Sequence, residues 1–277
     1  MTKESGAYIS KIRELGLNDI SRRQLNHVAE VFGPKFLNIA TEDEKQKARE
    51  YLKGPKMEFE TKVANVAWKL GGRIISEWLA EAVKKMEPGT GLYILNVGFN
   101  GNEPIDIIKI QTLKNGADKI ENDIFEGSSF SPEDKYVRGK RIGGNFVRLL
   151  RSGFDEIPQL QSVAKKEMFL IGIRGYTPIE RESNEMLYEL THSPELNNSK
   201  LVKWVLTKHQ QVIKDSIRPG IANPMSCLQA DLTTHILRMY LDIMYIEKAS
   251  RELDITILVK SLTRRFKRAA RIIKHIV

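Results

Sequence analysis

Two acid-free runs of cations are the residues of this chain whose types and spacing point most directly to chemistry. Lys135, Arg138, Lys140, Arg141, Arg148 and Arg151 form the first. Lys260, Arg264, Arg265, Lys267, Arg268, Arg271 and Lys274 form the second, which runs to the C-terminal Val277. Together they outnumber the net charge of +9, so the rest of the chain is net negative. Like charge gathered in two places repels itself in the folded state, and a bound polyanion offsets that repulsion. The phosphate backbone of a nucleic acid is the first polyanion that fits, and an anionic lipid surface the second.

The two runs would bind in different ways. In the first, Gly139, Gly143 and Gly144 lie among the arginines. Small residues let a phosphate reach backbone N–H groups and guanidinium forks together. Tyr136 and Phe146 offer faces on which bases stack. Core packing of these aromatics, and a tight helix contact at Gly143-Gly144, are the plainer readings. Lys165, Lys166 and Arg174 extend the same expected RNA-binding surface. In the second run, Leu258, Leu262, Phe266, Ala269, Ile273 and Ile276 share one helical face and the cations another. Such a helix buries one stripe and presents a row of charge. A solvated face, a membrane-surface helix and a partner motif are the alternatives.

Signals for catalysis are weaker. No Walker A pattern occurs, and Gly143-Gly144 does not complete a dinucleotide fingerprint. His27, His192, His209, His235 and His275 are scattered, none at metal-ligand spacing. Cys227 and His235 are eight residues apart, about 80° around one helix, which does not make a dyad. Asp106 with Lys109 on a strand has the flavour of a metal nuclease, but spacing places no second acid beside them. The expectation is a protein that is not an enzyme, with no cofactor and no metal.

The elements that position these groups read as mostly helical. The chain has 277 residues, 41% hydrophobic and 29% charged, enough for a core without staples. Its single cysteine and polar N-terminus imply a cytoplasmic protein with neither signal peptide nor disulfide. Ser21 with Gln24, and Thr41 with Glu44, are capping boxes ahead of helices to Phe32 and Lys53. Val63, Ala67, Leu70, Ile74, Trp78, Ala82 and Met86 form the stripe of a long helix, interrupted at Gly71-Gly72. Residues 92–113 read as a β-hairpin about Asn100-Gly101. Asp155–Glu167 reads as helix, and Met168–Ile173 as a buried run of undecided type. The last helix starts near Arg251.

The expected fold is therefore mainly α, with two helical lobes, one small β-hairpin and a nucleic-acid groove between the lobes. Residues 1–57 form an N-terminal helical arm. Residues 58–174 form an N-terminal lobe carrying the hairpin. Residues 175–277 form a C-terminal helical lobe ending in the basic amphipathic helix.

Two stretches resemble a known family. Leu95-Asn96-Val97-Gly98-Phe99-Asn100-Gly101-Asn102 followed by Pro104-Ile105, and Arg141-Ile142-Gly143-Gly144 with Arg148 four residues on, resemble nucleoproteins of bunyavirus-like segmented negative-strand RNA viruses. The resemblance implies single-stranded RNA in a cleft between lobes, met by Arg141 and Arg148, with Phe99 a structural or RNA-facing aromatic. It also implies self-assembly through terminal arms, and a viral polymerase as a further partner. The resulting expectation is a sequence-tolerant RNA-binding nucleoprotein of host cytoplasm and virion. The alternatives are a viral matrix-like protein meeting anionic membrane through its C-terminal helix, and a DNA-binding regulator with a helix-turn-helix near Ser21–Phe32.

Overall fold

A computed structural model of the chain describes residues 20–86, 88–97, 105–112, 145–150, 152–175, 200–213, 218–228 and 235–274. Among these, helix dominates, as the periodicity predicts.

Both capping boxes form. Ser21 Oγ accepts the Gln24 N–H while Gln24 Oε1 accepts the Ser21 N–H at 2.8 Å, opening α1 (Arg22–Phe32). Thr41 and Glu44 make the same reciprocal pair at the start of α2 (Glu42–Lys53). Pro55 then begins α3 (Pro55–Ala67), where its missing N–H is harmless. The expected interruption at Gly71-Gly72 takes the form of a π-helical turn, Trp68–Gly72, leading into α4 (Arg73–Met86). The hairpin is present as β1 (Leu92–Val97) antiparallel to β2 (Ile105–Ile110), with Asn96 opposite Asp106. Short α5 (Asn145–Leu150) precedes a 3-10 turn, Phe154–Gln159, and α6 (Leu160–Ala164). Asp155–Glu167 is therefore not one helix, because Pro158 sits inside the segment and interrupts the i to i−4 ladder.

The undecided run Met168–Ile173 resolves as β3 (Phe169–Ile171). It pairs in parallel with β4 (Gly220–Ala222), after α7 (Lys200–Ile213). The Arg218-Pro219-Gly220 break is thus where a strand begins. Gly220 is required there, since a Cβ on it would run into the backbone of Gly172. A second 3-10 turn, Pro224–Cys227, leads towards α8 (His235–Lys248) and α9 (Arg251–Lys274).

The main core is built around α8. Every residue from Ile236 to Glu247 is buried, so this helix is enclosed on all sides rather than on one stripe. Val28 of α1, Ala48 and Leu52 of α2, Val202, Val205 and Leu206 of α7, and Ile257 of α9 pack in the same cluster. A smaller cluster of Leu79, Val83, Ile110, Val147 and Leu150 joins α4, β2 and α5, with Phe154 and Ile157 against it. A third, of Ala64, Ile107, Val163 and Met168, joins α3, β2 and α6. The 3-10 turn Phe154–Gln159 is thereby held on a rigid floor.

Candidate active site

That turn carries two consecutive carboxylates, Asp155 and Glu156. Helix α5 is closed by the Gly153 N–H on the Leu150 carbonyl at 3.0 Å. Gly153 has φ +119, left-handed backbone that favours glycine. A Cβ there would lie 2.5 Å from Arg265 Nη1, so glycine also makes room for the guanidinium. Arg265 reaches in from α9. Its Nη2 donates to Glu156 Oε2 at 2.6 Å, and its Nη1 to the Gly153 carbonyl at 3.4 Å. From β2, Lys109 Nζ donates to Glu156 Oε1 at 3.3 Å. Three elements distant in sequence thus meet on one half-buried carboxylate.

The two carboxylates are driven apart in acidity. Burial pushes Asp155 up to about 6, the negative charge of Glu156 adds to that, and Lys109 and Arg265 only partly oppose it. Glu156 suffers the same burial, but the charges and hydrogen bonds of Lys109 and Arg265 outweigh it and hold this carboxyl below its usual range. One carboxylate is therefore locked in an ion pair. The other, bonded to its own backbone N–H, keeps a raised basicity.

Beside the dyad opens an apolar groove of about 220 Å³. Phe154, Ile157 and Leu160 line one wall and Leu258, Leu262 and Phe266 the other, with Glu156 and Arg265 also in the lining. The arrangement suits a substrate with an anionic head and an apolar body.

Only some of the residues expected to bind RNA lie in the described part of the chain. Lys135, Tyr136, Arg138, Lys140, Arg141 and Arg151 lie outside the described residues, as does Phe99, so the nucleic-acid groove is not shown. Arg148 lies in α5. Phe146 packs edge-on against Trp78 at 6.2 Å and joins the α4–β2–α5 cluster, the core role rather than a stacking face. Lys165, Lys166 and Arg174 are exposed. On α9, Lys260, Lys267, Arg268, Arg271 and Lys274 are exposed, while Arg264 donates to the Ser226 carbonyl at 3.2 Å and Arg265 serves Glu156. The row of cations is thus broken at its middle by inward-turned arginines.

Lys109 does belong to a site, where it pairs with Glu156. Cys227 is buried in its 3-10 turn, and burial pushes its thiol up to about 11, which suits packing rather than nucleophilic attack. In the sequence, Asp155 and Glu156 read as ordinary acids at the start of a helix. The signal that marks them is an adjacent acid pair bounded by Gly153 and Pro158, where no continuous helix fits.

Residues 63–268 match the family model described as bacterial sugar transferase. No curated protein matches the chain. The family match covers most of the sequence, whereas the nucleoprotein resemblance rested on two short stretches, and it overturns that resemblance. The chain is an enzyme, contrary to the expectation of a non-catalytic protein. Single-stranded RNA, nucleocapsid self-assembly, a viral polymerase, the matrix-like alternative and the DNA-binding regulator are corrected with it. The physical reason is that excess cation in a sequence says nothing of where each side chain turns. Arg265, counted among free cations, is neutralised by a carboxylate more than a hundred residues away.

Proposed function

The chain belongs to the bacterial sugar transferase family, and from that premise we propose that it transfers a sugar phosphate from an activated donor to an acceptor with an apolar body, with Asp155 as the reacting carboxylate. The observation that carries this reading is the split dyad. Glu156 is held ionised by Arg265 and Lys109 and lines an apolar groove, and its chain neighbour Asp155 has raised basicity.

At neutral pH most Asp155 is ionised. One Oδ adds to the donor's phosphorus, and the bond from that phosphorus to the leaving phosphate breaks, its electron pair going with the leaving group. The phosphosugar is then esterified to Asp155. An acceptor oxygen attacks the same phosphorus in the second step, and the aspartyl oxygen leaves as carboxylate, restoring the enzyme. An acceptor that is itself a phosphate monoester brings an anionic oxygen, so no base is consumed. A covalent intermediate lets one groove serve two substrates in turn. Arg265 and Lys109 set fixed positive charge beside the phosphorus as negative charge builds on its oxygens. The groove walls take the acceptor's apolar body and orient its head.

The test is incubation with a phosphate-labelled nucleotide-sugar donor and no acceptor. Label should be retained on the protein and map to the peptide containing Asp155. D155N should lose both the label and at least about 10³-fold of turnover. Turnover by D155N close to wild type would overturn the assignment.

A further inference from the structure

Outside the dyad, the molecule holds a second charged cluster, sealed from water. Lys56, in the first turn of α3, is only 1% exposed. Its Nζ donates to Glu60 Oε1 at 2.8 Å and to Asp254 Oδ2 of α9. It also lies 5.0 Å from the centre of the Phe169 ring. Each carboxylate has further donors. Glu60 accepts the Leu170 N–H at 2.6 Å and the Ile171 N–H at 3.3 Å. Asp254 accepts the hydroxyls of Tyr51 at 2.7 Å and Tyr245 at 2.8 Å. Buried charge persists only when paired and hydrogen-bonded, and here every partner is supplied by the fold.

Two features connect this cluster to the dyad. Asp254 and Arg265 are eleven residues apart on one helix, three turns, so they share a face of α9 about 16 Å apart along its axis. Ser261, on the same face, bonds Ser226 at 3.1 Å, so α9 is pinned between its anchored start and Arg265. Leu170, whose N–H is held by Glu60, lines the groove. Lys56 and Glu60 also lie N-terminal to residues 63–268, the part that matches the family.

We infer that Lys56 and Glu60 are positioning residues for the transfer reaction: they hold α9 and β3 so that Arg265 meets Glu156 and Leu170 closes the groove. The segment before the family-matched part is thereby a working piece of the active site's support. This rests on the reading of Asp155, Glu156 and Arg265 given above.

The experiment compares wild type, K56M and D254N with a nucleotide-sugar donor and a phosphorylated lipid acceptor, measuring kcat, KM and the pH dependence of kcat/KM. D155N is the control for the reaction itself. Misplacing Arg265 by about 1 Å should lower kcat about 10- to 100-fold with a smaller change in KM. It should also move the acidic limb of the profile to higher pH, because Arg265 is one of the charges that lower Asp155. D254N removes the charge and keeps an oxygen for one of the two tyrosine hydroxyls, so it reports on the cluster if K56M fails to fold. A fall in melting temperature with unchanged kcat and an unmoved limb would overturn the inference, leaving the cluster a matter of stability alone. If D155N turned over like wild type, the site reading itself would fail instead.

Discussion

Two charged clusters among the described residues are built from similar side-chain chemistry and behave differently. Around Lys56, two carboxylates share one ammonium, two tyrosine hydroxyls and two backbone N–H groups, all enclosed. Around Glu156, two neighbouring carboxylates meet two cations, Glu156 and Arg265 line a groove, and both cations bond the same carboxylate. The first arrangement satisfies every member and so fixes helices. The second satisfies Glu156 and leaves its chain neighbour Asp155 raised in basicity beside a groove that Glu156 and Arg265 line. Burial raises the carboxyl of Glu60 as it does that of Asp155, so what separates the clusters is access: Lys56, Glu60 and Asp254 are buried within the fold, whereas Glu156 and Arg265 line a groove.

The largest effect that tests the contrast is on stability. K56M should cost about 3–5 kcal/mol, since it strands two buried carboxylates. R265M should cost about 1 kcal/mol or less, because Glu156 keeps Lys109 and is partly solvated. Urea unfolding of both variants checks this. Equal losses would mean that the clusters do not differ in kind.

Next comes G153A. The left-handed φ at Gly153 and the collision of a Cβ with Arg265 should together cost about 1–3 kcal/mol. Turnover should fall about tenfold or more as the guanidinium is pushed off Glu156. Unfolding midpoints and kcat measure the two effects separately. A variant that lost stability and kept its rate would show that Arg265 need not sit where it does.

Local features of this fold were legible in the sequence, and long-range ones were not. Ser21, Gln24, Thr41 and Glu44 announced their helices because a capping box is complete within four residues. The hairpin announced itself through Asn100-Gly101 and flanking β-branched residues, and its strands form. Strands β3 and β4 did not announce themselves, because each is three residues long and their partnership spans about fifty residues. The site failed to show for the same reason. Glu156 acquires meaning only from Lys109 and Arg265, and a row of cations on α9 looks uniform until tertiary contact turns Arg264 and Arg265 inward. Lys56 and Glu60, an ordinary i,i+4 pair on paper, gave no hint that they are buried on Asp254.

The smallest effect is the most diagnostic of the split. Asp155 is raised from an ordinary 3.8 to about 6, by burial first and by the charge of Glu156 second. Between those values the folded protein holds a proton that the unfolded chain has released. Stability therefore falls as pH rises through that window and levels off above it. Asparagine carries no charge, so D155N lacks this loss. At pH 7 the variant should be more stable than wild type by about 1–2 kcal/mol, less than the full two-unit shift implies because solvent reaches the group. The two should converge towards pH 4. Urea midpoints at pH 4, 5, 6 and 7 measure the difference. If D155N were less stable at pH 7, Asp155 would hold stabilising contacts like those of Asp254, and the distinction between a reactive carboxylate and a structural one would not describe this protein.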